Sequence, residues 1–266
     1  MKNHHKSALI ILFFLFGIFT GNAQEEISKE PTTTPIKMTG LIQTPTPDLT
    51  SSLDFYKQLN FKVLSEENPT IVTDGKALLE INPDRSARAG VKLYAQDWSK
   101  KVEEIKATRH VEKIDGGYLL TTPSGCWMYL IEGDEPIQFK TEEKSFGVIG
   151  THYGLSLETT DYMGSIKFWE MLGFKAVMGG PDKGFIILVH NDGFGVSLMK
   201  QGSCPHLFFN PSLSYFNGKK NLEIIATLRK LEIPITEEIT VFNKEGIVDN
   251  VIIRDPGGLG FFIFSD

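Results

Sequence analysis

The stretch Ser165-Ile166-Lys167-Phe168-Trp169-Glu170-Met171-Leu172-Gly173-Phe174-Lys175-Ala176-Val177 decides the fold, because the chain contains it twice. The earlier copy reads SLDFYKQLNFKV over residues 52–63. Apolar side chains recur at helical spacing in both copies, at Leu53, Tyr56, Leu59, Ile166, Trp169 and Leu172. Each predicted helix follows an acidic N-cap candidate, Asp48 or Asp161, and stops at a turn former, Asn60 or Gly173. A unit repeated at domain-sized spacing indicates duplication.

The sequence around these copies predicts four rounds of a strand, a helix and three strands. Two rounds fall in a first domain over residues 38–132, two in a second over 147–266, and a charged, aperiodic linker covers 133–146. The last round is predicted to start with a strand at 206–210 and to continue with a helix at 220–231. The predicted class is α+β, with paired βαβββ modules in tandem.

The N-terminus is typical of an export signal. Lys2 and Lys6 precede an apolar run over residues 8–19, and small residues lead to Ala23 and Gln24. The competing interpretation is a membrane anchor, but the run is shorter than the roughly 20 residues of a spanning helix. We therefore expect a signal peptide at 1–23, a polar tether at 24–37 and an exported protein, periplasmic or extracellular, with no membrane span after cleavage.

Charge and cysteine content limit the partners. The net charge of −6 and the lack of a Lys/Arg cluster argue against nucleic acid. Cys126 and Cys204 lie in different domains and in no Cys-x-x-Cys spacing. They are either buried free thiols, the simpler interpretation, or a pair formed after export. Two paired domains in one chain are compatible with a monomer.

The helix stretch, the turn Arg254-Asp255-Pro256-Gly257-Gly258 and the four βαβββ modules resemble the vicinal oxygen chelate superfamily over nearly all of residues 38–265. This superfamily includes glyoxalase I, extradiol ring-cleaving dioxygenases, and fosfomycin- and bleomycin-resistance proteins. The resemblance implies two glyoxalase-like domains, each an incomplete barrel, here called a cup. It also implies a divalent metal such as Mn, Fe, Ni or Zn at the base, held by His and Glu side chains from the first and last strands.

The positions that the resemblance assigns to metal ligands carry few ligands in this sequence. Counted from the shared helix and turn, they fall on Leu41, Glu80, Gly90, Tyr129, Gly154, Leu198, His206 and Phe262. Only Glu80 and His206 can bind a metal, and catalytic ions usually have three protein ligands. We therefore predict no metal cofactor. The alternative is a displaced divalent-metal site in the second domain, formed by His152, Glu158 and His206.

Aromatic and polar side chains stand where the ligands are missing. A cup lined in this way suits a small, partly apolar molecule, and the predicted ligand-binding residues are Gln43, Tyr129, Ser156, Glu158, His206, Asn210 and Phe262. The competing interpretation is that the aromatic side chains fill the cup as core. The sequence thus supports two hypotheses: a metal-free small-molecule binding protein outside the cytoplasm, and a metal-dependent lyase or dioxygenase that uses the displaced site.

Overall fold

A computed structural model of the chain describes residues 36–265, so the predicted signal peptide and most of the tether lie outside the described residues. The described residues belong to one compact unit, bounded as Pro35–Asp266. Among them, no helix combines the length and the apolar character needed to cross a membrane.

The first domain forms one eight-stranded sheet with two helices. Its elements are β1 (Thr39–Pro45), α1 (Leu49–Gln58), β2 (Lys62–Ser65), β3 (Thr70–Thr73), β4 (Leu78–Asn82), β5 (Gly90–Ala95), α2 (Ser99–Lys106), β6 (Glu112–Ile114), β7 (Gly117–Thr121) and β8 (Trp127–Glu132). The strand order is β2-β3-β4-β1-β5-β8-β7-β6, and the two βαβββ modules join where β1 runs antiparallel to β5.

The second domain repeats this plan. Its elements are β9 (His152–Thr159), α3 (Tyr162–Met171), β10 (Lys175–Gly179), β11 (Phe185–Val189), β12 (Gly195–Lys200), β13 (Ser212–Phe216), a 3₁₀ turn (Gly218–Lys220), α4 (Asn221–Lys230), β14 (Ile235–Ile239), β15 (Asn250–Arg254) and β16 (Gly260–Phe264). The order β10-β11-β12-β9-β13-β16-β15-β14 matches that of the first sheet. The predicted class and the tandem modules are confirmed.

The repeated stretch folds as its sequence predicts. Asp48 accepts hydrogen bonds from the Thr50 and Ser51 N–H groups at 2.9 and 3.2 Å and so caps α1. Asp161 caps α3 through the Gly164 N–H. After these helices the chain turns through positive φ, 61° at Asn60 and 93° at Gly173. Asparagine and glycine tolerate that conformation best, which is why both helices end there.

One predicted strand is wrong. The fifth strand of the second domain is Ser212–Phe216, whereas residues 206–210 form a loop. Leu213 and Tyr215 are fully buried in the core, and Ser212 and Ser214 are buried on the opposite face of the sheet. Residues 212–215 alternate serine with apolar side chains, so the pattern of a strand was present in the sequence, but the strand was assigned to the preceding segment. The other predicted helices and strands agree with the structure to within a few residues.

The helix-bearing faces of both sheets share one hydrophobic core. Tyr56 on α1 packs 6.3 Å, between ring centroids, from Phe261 on β16. The Tyr56 and Thr44 hydroxyls each donate to a carboxylate oxygen of Asp255 at 2.8 Å. Burial raises the pKa of this carboxyl, although both hydroxyls oppose the shift. The domains are therefore joined by buried contacts and not only by the linker.

Candidate functional site

The cup of the second domain is filled by aromatic side chains. Phe262 is 2% exposed, and its ring centroid lies 4.9 Å from that of Phe208 and 5.3 Å from that of His206. Next to it, the Ser156 and Ser214 hydroxyls form a buried hydrogen bond of 2.6 Å. Three of these five residues, Phe262, His206 and Ser156, are among the predicted ligand-binding residues. The loop at 206–210 folds back over the sheet and occupies the space.

The base of the first cup contains an ion pair. Lys92 Nζ donates to both carboxylate oxygens of Glu80 at 2.7 Å. The Asn82 amide joins Glu80 to Gln43 with hydrogen bonds of 3.3 and 2.9 Å. Lys92 Nζ also lies 5.7 Å from the centre of the Tyr129 ring. Of the predicted ligand-binding residues, Tyr129 therefore lies near a cation that the protein itself supplies, and Gln43 is linked to the carboxylate partner of that cation through Asn82.

Glu158 and Asn210 meet in a shallow polar crevice of about 220 Å³. The Asn210 side chain accepts from the Glu158 N–H at 2.8 Å and donates to the Glu158 and Ser124 carbonyls at 2.7 and 3.1 Å. Both the oxygen and the nitrogen of the Asn210 amide are thus hydrogen-bonded, and they connect the turn that contains Ser124, in the first domain, to β9. Asn210 thus holds the two domains together at this crevice.

Both cysteines are free thiols, so the pairing alternative is wrong. Burial raises the pKa of Cys126 to about 12. Burial, with a smaller contribution from Glu158, raises the pKa of Cys204 to about 11. Thiols with such high pKa values are mostly protonated near neutral pH and are poor nucleophiles.

A larger cavity of about 380 Å³ lies between the two domains. It is bounded by β1, β9 and two turns, the β3–β4 turn and the β11–β12 turn. Representative lining residues are the apolar Ile42, Leu155 and Phe194 and the polar Lys76, His152 and Asp192. Of the seven predicted ligand-binding residues, none lines this interdomain cavity. His152, predicted only as an alternative metal ligand, does.

The two turns occupy equivalent places in the duplicated plan, and each reaches the other domain. From the β11–β12 turn, Asp192 Oδ2 lies 2.9 Å from His190 Nδ1 and accepts a hydrogen bond of 3.1 Å from the Met38 N–H. From the β3–β4 turn, Asp74 lies close enough to His152 and Tyr215 to perturb their pKa values. The cavity therefore lies between two turns, each of which extends from its own domain to residues of the other domain.

Asp74, His152 and Tyr215 form a polar cluster beside the cavity. Asp74 Oδ1 accepts from the Lys76 and Ala77 N–H groups at 2.8 and 2.7 Å. By contrast, Asp74 Oδ2, His152 Nδ1 and Tyr215 OH are shielded from solvent and form no hydrogen bond of ordinary length among the described residues. The Tyr215 hydroxyl nevertheless faces the Asp74 carboxylate closely enough for that carboxylate to affect its pKa. The His152 and Tyr215 ring centroids are 5.3 Å apart.

The protonation states of this cluster follow from its burial. Burial lowers the pKa of His152, although the charge of Asp74 opposes the shift. Burial raises the pKa of Tyr215 well above its usual value, and the charge of Asp74 raises it further. Near neutral pH the cluster therefore holds an uncharged imidazole and an uncharged phenol. Sequence reasoning missed Asp74 and Tyr215, because an Asp-Gly turn and a strand tyrosine carry no signal that they meet.

Comparison of the sequence with protein-family models and with curated proteins finds no match. Comparison of the structure finds dioxygenases. A homoprotocatechuate 2,3-dioxygenase from Arthrobacter globiformis is 14% identical, with 86% of this chain and 80% of that chain covered and a TM-score of 0.54. The 2,3-dioxygenase LapB from Pseudomonas sp. KL28 is 15% identical, with 86% and 92% covered and a TM-score of 0.51. The chain has the vicinal oxygen chelate fold.

The cups of this vicinal oxygen chelate fold do not fit a metal. Adjacent strands bring Leu41, Lys92 and Tyr129 into one row of the first sheet. The equivalent row of the second sheet carries Gly154, Ser214 and Phe262. The middle residue of each row is Lys92 or Ser214, whereas the sequence analysis had assigned this ligand position to Gly90 or His206. Leu198 lies in the core. Apart from Lys92, whose amine is already paired with Glu80, these rows present no nitrogen or carboxylate ligand.

The displaced metal site does not assemble either. His152 and Glu158 lie at opposite ends of β9. Six residues of strand separate their Cα atoms by about 20 Å, too far for one ion to contact both. His206 lies on the loop, where its Nδ1 donates to the Leu207 carbonyl. Within residues 36–265, no three His, Cys, Asp or Glu side chains are grouped to hold a metal.

Proposed function

We propose that the protein binds a small, partly apolar molecule in the interdomain cavity, and that it does so outside the cytoplasm and without a metal in either cup. The observation that carries this proposal is a cavity of about 380 Å³ that is lined by both apolar and polar side chains, one of them His152 with a shielded, unpartnered Nδ1. Small-molecule sites combine this size with mostly apolar lining and a few polar groups. The filled second cup and the ion pair in the first leave less space there.

The solved structures that resemble this chain favour a catalytic function instead of binding alone. They are dioxygenases, and the second hypothesis from the sequence, a metal-dependent lyase or dioxygenase, agrees with that. However, their similarity is one of fold, and the residues at the cup positions of this chain do not fit a metal. We therefore place this function second, to be decided by the metal content of the purified protein.

The binding proposal is tested by thermal unfolding of the mature protein, residues 24–266, against a library of small molecules. A ligand at a hundred times its Kd stabilises the folded state by about 2.7 kcal/mol, which raises the melting temperature measurably. Thr141 is exposed and lines the cavity, so Thr141→Trp should obstruct it and abolish the stabilisation. Thr160, also exposed, lines the polar crevice instead, so Thr160→Trp is the matched control and should keep it. A library without hits, or hits that survive Thr141→Trp, would contradict the proposal.

The export proposal is tested separately. In a Gram-negative host the intact mass of the product should correspond to a chain that begins at Gln24. Phe14→Arg places a charge in the apolar run and should block processing, because the signal must present an apolar core. A wild-type product that keeps residues 1–23 in the periplasmic or membrane fraction would show that the segment is an anchor.

A further inference from the structure

We infer that the ligand of the interdomain cavity is an organic anion, such as a monocarboxylate with an apolar body, and that the Lys76 ammonium binds its charged end. This inference rests on the proposed binding function and names the ligand class. Its basis is that Lys76 lines the cavity, is half-buried, and has no carboxylate partner among the residues that the structure describes.

Lys76 differs from the other half-buried lysines in the described part of the chain. There are two of these, and each is paired. Lys92 Nζ lies 2.7 Å from Glu80 Oε1, and Lys101 Nζ lies 2.5 Å from Glu104 Oε2. Removal of an ammonium group from water costs free energy unless a partner compensates for the lost hydration. An anion in the cavity would supply the partner that Lys76 lacks.

Three carboxylates lie around the cavity, and none forms an ion pair with Lys76. Asp192 Oδ2 lies 2.9 Å from His190 Nδ1. Asp74 Oδ1 accepts from two backbone N–H groups at 2.8 and 2.7 Å. Glu142 is held by its own backbone N–H, which donates at 2.7 Å to the carbonyl group that precedes Lys76. The protein thus brings carboxylates close to this turn but leaves the ammonium group available to a ligand.

The other lining residues select the rest of the ligand. Burial lowers the pKa of His152, so its imidazole is uncharged near neutral pH and Lys76 is the positively charged residue of the described lining. One negative charge on the ligand therefore matches the cavity. Apolar walls, Phe194 among them, suit an apolar body. Thr141 and Tyr153 line the cavity and are exposed, so the ligand can enter from solvent.

Asp192 is the competing recognition group, because it lines the same cavity with the opposite charge. If Asp192 selects the ligand, amines bind more tightly than carboxylates. If the ligand reaches neither charge, an alcohol binds as tightly as the carboxylate of the same size. The three cases predict different orders of affinity, and a panel of matched probes separates them.

The test measures the thermal stabilisation and the Kd of matched probes on residues 24–266. The probes are hexanoate, 1-hexanol and hexylamine, and benzoate, benzyl alcohol and benzylamine, together with every carboxylate hit of the library and its primary amide. We expect carboxylates to bind about tenfold or more tightly than the matched alcohols, amines and amides, since a charged partner adds about 1.5–3 kcal/mol. Their affinity should fall between about 0.02 and 0.5 M salt, and that of the alcohols should not.

The outcomes that overturn this inference differ from those that overturn the binding function. Equal affinity of carboxylate and alcohol, tighter binding of amines, or a library whose hits are neutral or cationic overturns the inference and leaves the binding function intact. The lack of any stabilisation across the library overturns the binding function itself.

Three variants assign the effect to Lys76. Lys76→Met removes the charge and keeps the length, so carboxylates should lose about tenfold or more in affinity while alcohols keep theirs. Lys76→Gln gives the same test if Lys76→Met does not fold, and Lys76→Arg should retain most of the carboxylate affinity. Lys140→Met is the matched control, because Lys140 is exposed and lies between the lining residues Phe139 and Thr141 without lining the cavity. Equal losses in Lys76→Met and Lys140→Met, or equal losses of carboxylates and alcohols in Lys76→Met, refute the assignment.

Discussion

The ion pair at the base of the first cup gives a quantitative test of how that cup is stabilised. The side chains of Lys92 and Glu80 are 15% and 4% exposed, and the ammonium contacts both carboxylate oxygens. Lys92→Met removes the charge but keeps the length of the side chain. Glu80 then retains only the Asn82 amide, at 3.3 Å. Leaving a buried charge unpaired costs about 3–5 kcal/mol, and partial access of water through the Lys92 position favours about 3.

The double variant Glu80→Met/Lys92→Met separates the worth of the pair from the cost of breaking it. Replacement of a buried ion pair by apolar side chains is often neutral or stabilising, because the desolvation of both charges offsets their attraction. We therefore expect the double variant to unfold within about 1 kcal/mol of the wild type. Asn82 keeps its hydrogen bond to Gln43 at 2.9 Å, so the rest of the network remains satisfied.

The assay is urea unfolding of residues 24–266, with stability compared through midpoints at unchanged m-value. Lys113→Met is the matched control, because Lys113 and Glu132 form a 3.5 Å pair whose side chains are 62% and 33% exposed. Such surface pairs contribute about 0–1 kcal/mol. The reasoning is refuted if the double variant is as unstable as Lys92→Met, because the pair itself, and not the unpaired carboxylate, would then carry the stability.

Three further predictions concern the buried aspartate, the filled cup and the metal. Burial raises the pKa of Asp255 above its usual 3.8, so the folded state holds this proton more tightly than the unfolded state does. The stability that results is complete below pH 3.8 and is lost as the pH rises through the folded pKa. Relative to Asp255→Asn, the wild type should therefore become less stable as the pH rises, and urea unfolding curves that stay parallel would contradict this. Phe262→Ala should cost about 3–5 kcal/mol by emptying the second cup, yet leave binding in the interdomain cavity unchanged; lost binding would place the ligand in the cup. Elemental analysis of untagged protein should find Mn, Fe, Ni and Zn well below one ion per chain, even after incubation with each. One ion per chain that is lost in His206→Ala would restore the metal hypothesis.

The parts of the fold that the sequence predicted are those that local residues determine. Asp48 and Asp161 cap their helices through N–H groups two or three residues away, and Asn60 and Gly173 end them. These interactions can be deduced from a short window of sequence. The prediction of a strand at 206–210 was wrong because this segment is a loop, and its side chains, among them Phe208, pack against the cup face of the sheet. Aromatic alternation marks burial, but it does not say which backbone pairs with the sheet.

The residues of the candidate site could not be predicted because their positions depend on strand register and on contacts between the domains. Glu80 was assigned to a metal-ligand position, but its partner Lys92 lies two residues beyond Gly90, the residue assigned to the next such position. Strand pairing sets Lys92 opposite Leu41 and Gly90 opposite Gln43. A two-residue offset keeps the same face of a strand, so periodicity cannot detect it. The contact between Asp74 and Tyr215 joins residues of different domains, and no local pattern encodes it.

Duplication explains why the candidate site lies between the domains and not within one. Each cup belongs to a single sheet, so each domain can fill its own cup with aromatic side chains or with an ion pair. The interdomain cavity requires two domains, because its walls are β1 and β9 together with a turn contributed from each side. Its polar cluster likewise takes Asp74 from one copy and the two rings from the other. The sequences of the two turns have diverged, with Asp74 in the first at the place that His190 has in the second. The interface of the two copies thus carries an asymmetric candidate site, whereas neither cup carries a set of metal ligands in its strand rows.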